Sequence, residues 1–73
     1  MELPDCILQA FKNAKSIRKS WSNTSWNIEL ENHRMVYVDY FQDKKKWVIH
    51  GITGETPEQA LASYIASRLE SGQ

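Results

Sequence analysis

The sequence predicts an α+β domain: a three-stranded antiparallel meander with one helix before it and one after it, in the order α-β-β-β-α. Three observations carry that expectation. Residues 56–69 write a capped amphipathic helix. Residues 26–31 and 35–41 carry strand signals, the first as strict alternation and the second as a run of β-branched and aromatic residues. Near the N-terminus, apolar residues recur at intervals of three and four instead.

In chain order, residues 4–20 read as the first helix. Ile7, Ala10, Phe11, Ala14, Ile17 and Trp21 fall on one side at helical spacing. Pro4 and Asp5 suit a first turn. Ser20, Ser22, Asn23, Thr24 and Ser25 then read as a polar loop. Trp26 to Glu31 alternates with period two, which turns Trp26, Ile28 and Leu30 inward. Asn32, His33 and Arg34 form a turn, and Met35 to Phe41 a second strand. Gln42 to Lys45 is a charged turn, and Lys46 to Ile52 a third strand. Thr56 then caps the last helix, with Pro57 where a missing N–H costs nothing and Gln59 at the capping-box position. Its buried stripe is Ala60, Leu61, Tyr64, Ile65 and Leu69, with Gly72 near the C-cap. The strand residues are apolar on both faces, Val36, Val38 and Tyr40 on one, Met35, Tyr37 and Phe41 on the other. Either the helices cover opposite faces, or one face is left sticky.

Seventy-three residues make one domain, 1–73, with a thin core. Three Trp, three Tyr and two Phe supply much of its volume. Nine basic and nine acidic residues cancel, so net charge gives no attraction to nucleic acid or anionic lipid. A single cysteine, Cys6, excludes an internal disulfide and a cysteine-cluster zinc site. No charged-then-apolar leader and no membrane-length apolar run is apparent, so the expected location is the cytoplasm. On that reading Asn23-Thr24-Ser25 matches a glycosylation acceptor by coincidence.

Candidate chemistry is sparse. His50, Asp39 and Glu29 would share a sheet face, and a carboxylate-oriented histidine is the arrangement of a general base. No nucleophile or Gly-rich loop stands beside them, and cross-strand charge pairs are ordinary in sheets. His33 and His50 lack metal-motif spacing. Cys6 reads as a small apolar residue. No catalytic residue, metal or cofactor is therefore assigned, and no enzymatic activity is expected. Basic residues form two groups, Lys12, Lys15, Arg18 and Lys19 on the first helix and Lys44, Lys45 and Lys46 in a turn. With the tryptophans they could contact phosphates and stack on bases. They equally describe a solvated helix flank and a charged turn that discourages edge pairing. The aromatic residues exceed what so small an interior hides, and Trp21, Tyr37, Phe41 and Trp47 are the candidates for exposure and partner binding.

Two resemblances bear on these residues. The α-β-β-β-α order resembles the double-stranded RNA-binding domain, which grips RNA with a His-bearing Gly-Pro loop and lysines opening its last helix. Here the loop is Asn32-His33-Arg34, without Gly-Pro, and Glu55 and Glu58 stand where that family places lysines. Thr56-Pro57-Glu58-Gln59-Ala60-Leu61, preceded by the strand Trp47 to Gly51, resembles small phage and prophage accessory proteins of the α/β/α sandwich type. That resemblance implies a protein without catalytic chemistry that binds a host factor, for example as an inhibitor of a bacterial defence system. The expected function is non-catalytic binding to another protein, a second copy included, with nucleic-acid binding as the alternative.

Overall fold

The computed structural model describes residues 2–20 and 22–70, with side chains as far as Arg68. Its elements are α1 (Asp5–Ala10), β1 (Ser16–Lys19), β2 (Ser25–Glu29), β3 (Met35–Phe41), β4 (Lys46–Ile49), β5 (Ile52–Gly54) and α2 (Pro57–Glu70). The α+β class is as expected, but the sheet has five strands, in the order β1-β2-β3-β4-β5. Each adjacent pair is antiparallel. The α-β-β-β-α order is thus an undercount, and the match to the double-stranded RNA-binding topology goes with it.

Both missed strands have physical causes. The helix expected over 4–20 stops at Ala10. Beyond it, Lys12, Lys15 and Lys19 would repel one another at helical spacing, with no acidic residue between Asp5 and Glu29 to offset them. Lys15 N–H instead donates to the Glu29 carbonyl at 2.7 Å, and the chain enters the sheet edge as β1. There Ile17 lies opposite Ile28. The strand expected over 46–52 is in fact a tight hairpin. His50 (φ +50°) and Gly51 (φ +85°) form its two-residue loop between the paired Ile49 and Ile52. Two positive φ values are what a type I′ turn needs, and its twist matches that of the flanking strands.

Alternation along the strands separates two faces. Trp26, Ile28, Val36, Val38, Trp47 and Ile49 point inward and are buried. Leu3, Ile7 and Phe11 from the N-terminal segment, and Ala60 and Tyr64 from α2, close the same core. Phe11 meets Tyr64 at a ring separation of 6.2 Å. Both helices therefore lie on one side of the sheet. Trp26 and Trp47 stack across β3 at 6.0 Å, and Tyr40 lies 4.7 Å from Trp47. Large rings here do the work that many aliphatic residues do in bigger cores.

The start of α2 is as expected. Gln59 N–H donates to Thr56 Oγ1 at 3.1 Å. The Gln59 side-chain oxygen accepts from Glu55 N–H at 3.2 Å, one residue before the position of a strict capping box. Gly54 lets this helix sit close to β5: a Cβ there would lie 2.3 Å from the Ala60 nitrogen. Two stripe positions need correction. Ile65 on α2 is exposed rather than buried, as is Ala10 on α1. The expected Gly72 cap lies outside the described residues.

Candidate functional site

With both helices on one side, no described element covers the other side of the sheet. Period-two geometry places Met35, Tyr37, Asp39 and Phe41 on this side of β3, the central strand. Tyr37 and Phe41 are 48% and 47% exposed, although both are large and apolar. Four residues of extended chain set them about 13 Å apart. Asp39, between them, accepts a hydrogen bond from the Ser25 hydroxyl. Asn27 and then Arg18 continue the row beside Tyr37, Val48 and Thr53 continue the row beside Asp39, and Lys46 lies opposite Phe41. The result is an aromatic pair on a rigid strand, framed by hydrogen-bonding and charged groups. That composition is typical of the anchors of protein interfaces.

Two of the four aromatic candidates, Tyr37 and Phe41, are therefore brought together on this face. Trp47 is not. It points the other way, is 7% exposed, and belongs to the core. Its strand alternates as Lys46, Trp47, Val48, Ile49, so the side facing the helices takes the tryptophan. Trp21 lies outside the described residues. Asn27 and Val48 are not singled out by local pattern, and Arg18 is read there as part of a basic helix flank, because β1 and the pairing register are not available from it.

The basic candidates do not converge. Lys12 sits in the turn after α1, Lys15 precedes β1, and Arg18 and Lys19 are successive residues of β1, so they point to opposite faces. Lys44 and Lys45 lie in the β3–β4 turn, with Lys45 at φ +53°. Lys46 opens β4, three strand spacings or about 14 Å from β1. Carboxylates already hold two of these cations: Lys15 pairs with Glu29 at 4.0 Å and Lys46 with Glu55 at 3.6 Å.

The His50, Asp39, Glu29 constellation does not assemble either. Asp39 is engaged by Ser25, and Glu29 by Lys15 and His33, the latter at 3.7 Å. His50 stands in the β4–β5 turn, where its backbone N–H donates to the Tyr37 carbonyl at 2.7 Å. Its ring stacks on Tyr37 at 6.4 Å with 5° between the planes. Among the described residues there is no group of three or more His, Cys, Asp or Glu that could hold a metal ion. Nor is any described helix long and apolar enough to cross a membrane. Cys6 is half-buried, and burial, followed by the nearby Glu58 carboxylate, pushes its thiol pKa up. The opposite shift would mark a reactive thiolate.

No protein-family model, curated protein or solved structure matches the chain.

Proposed function

We propose that this chain is a non-catalytic binding protein, and that the open face of its sheet docks on another polypeptide and occludes a surface of it. One observation carries the reading: two large aromatic side chains, Tyr37 and Phe41, stand exposed on one face of the central strand while both helices pack on the other. A balanced net charge agrees with a protein partner better than with a phosphate backbone. The likeness of the α2 opening to phage accessory proteins suits an occluding role against a host factor and enters as part of this proposal.

The test pairs capture with stability. The tagged chain and its Tyr37→Ala/Phe41→Ala variant are each used to capture partners from a host extract at physiological salt. A partner is identified by mass spectrometry and its affinity then measured with purified components. Losing two central aromatic anchors should weaken binding by about thirtyfold or more. The thermal midpoint should stay close to that of the parent, because neither ring is in the core. Equal affinity of variant and parent for every purified partner would overturn the proposal. So would a captured partner that proves to be nucleic acid and is released as salt rises.

A further inference from the structure

The β2–β3 and β4–β5 turns lie at the same end of the meander. Beside them a cleft of about 290 Å³ opens, lined by strand residues and by α2. Leu30, Met35 and Val36 supply its apolar wall, and Arg34, His50, Tyr64 and Arg68 its polar groups. None of the described lining residues is acidic. Glu29, which also sits at this end of β2, is already engaged by Lys15 and His33.

Three elements place the four polar groups: the β2–β3 turn, the β4–β5 turn and α2. The left-handed His50 and Gly51 turn brings the imidazole to the cleft, against the edge of the Tyr64 ring at 6.2 Å. Tyr64 is 6% exposed and fixed by the core. One turn later on α2, Arg68 donates to Tyr64 Oη at 3.4 Å, with its guanidinium carbon 5.7 Å from the ring centroid. Arg34 ends the β2–β3 turn, its backbone N–H held by Asn32 Oδ1 at 3.2 Å. The Arg34 guanidinium has no hydrogen-bond or ion-pair partner among the described residues.

Two guanidinium groups that keep their charge at any physiological pH thus share one recess with an imidazole and a phenol. Apolar walls strengthen the field of such charges and concentrate anions between them. Guanidinium groups also match the oxygens of carboxylates and phosphates in geometry. We propose that this cleft is a binding site for a small organic oxyanion, a carboxylate or phosphate carried on a short apolar body. The head group lies between Arg34, His50 and Arg68, and the body packs against Leu30 and Val36. The site adjoins the open face, since Met35 belongs to both and the His50 ring stacks on Tyr37, but its charged groups, Arg34 and Arg68, are not among the residues proposed for docking.

The test is a titration of the full chain followed by ¹⁵N–¹H correlation spectra. The probes are phenyl phosphate, benzoate and neutral benzyl alcohol. Two charge-matched variants accompany the parent: Arg34→Gln at the cleft and Lys44→Gln in the β3–β4 turn at the other end of the sheet. Saturable shifts centred on His50, Arg34 and Tyr64 with either anion support the proposal, and the stronger of the two identifies the head group. Arg34→Gln should weaken that binding by about tenfold while Lys44→Gln leaves it unchanged. Absence of saturation with both anions would overturn the proposal. Equal binding of benzyl alcohol would do so too, as would equal weakening by the two variants.

Discussion

At Gly54 β5 lies close against the backbone of α2, and adding one methyl group there should be among the most damaging conservative changes available. An alanine Cβ at 54 would stand 2.3 Å from the Ala60 nitrogen, 2.7 Å from its Cα and 2.9 Å from its Cβ. The first of these is 1.1 Å short of the 3.4 Å at which ordinary contact begins. Two of the three obstacles are backbone, so no side-chain rotation relieves them. The Ala60 nitrogen also closes the first turn of α2 through its hydrogen bond to the Thr56 carbonyl at 3.0 Å. The helix must therefore move as a body, and Ala60 and Tyr64 with it, both of them buried. Overpacking of this kind costs about 1–3 kcal/mol, and a backbone obstacle argues for about 3. At about 4–8 °C per kcal/mol for a domain of this size, the thermal midpoint should fall by about 12–24 °C. Far-UV circular dichroism melts, with urea titrations as a second measure, read this directly. Gly51→Ala is the control. Nothing lies within 4 Å of a Cβ there, and its φ of +85° leaves only backbone strain, worth about 1–2 kcal/mol. An added Ala60→Gly change should fail to rescue Gly54→Ala, since the nitrogen and Cα remain in the way. A Gly54→Ala protein that melts with the parent, or less damage there than at Gly51, would refute the reasoning.

Two further outcomes separate the faces and the thiol. Trp47→Ala should cost about 3–5 kcal/mol, enough to leave a chain of this size close to unfolded, whereas Phe41→Ser should stay within about 0.5 kcal/mol of the parent in the same urea titration. Cys6 should react slowly with iodoacetamide at neutral pH compared with the urea-unfolded chain, because burial and Glu58 keep its thiol protonated. Glu58→Gln removes the smaller of those two causes, so it should speed alkylation without restoring the unfolded rate.

What the sequence revealed was set by how local each determinant is. β3 is legible with its observed bounds because five of its seven residues are β-branched or aromatic and need no outside help to look like a strand. The α2 opening was legible for the same reason, since Thr56, Pro57 and Gln59 act within a single turn. β1 was hidden because Ile17 continues the spacing of Ile7, Phe11 and Ala14 by chance. What makes its segment a strand is pairing with β2, ten residues further on. The β4–β5 hairpin was hidden because His50-Gly51 is a rarer loop pair than Asn-Gly, although histidine tolerates the left-handed region better than most residues. The open face was half legible. Alternation alone set Tyr37 and Phe41 opposite Val36 and Val38, but which face the helices would cover depends on both chain ends packing together. The cleft was not legible at all, because Arg34, His50 and Arg68 meet only once the turns and α2 are in place.

The open face also says something about why such residues are there. A one-residue slip in β3 would exchange its faces, burying Tyr37 and Phe41 and exposing Val36 and Val38. Register is therefore fixed strongly by the core side, where Val38 and Ile28 are fully enclosed. The outer aromatics contribute little to that choice. They carry a cost instead, since exposed rings on an antiparallel sheet invite association with any other apolar surface. Charged residues limit the cost: Arg18, Glu29, Asp39 and Lys46 surround the pair on the same face. Polar residues at 37 and 41 would remove it altogether without disturbing the core. Two exposed rings framed by charge have the organisation that the proposed docking requires, compatible with water when alone and able to lose it against a partner. That is the physical ground for the proposal that this face does the binding and that the helices support it.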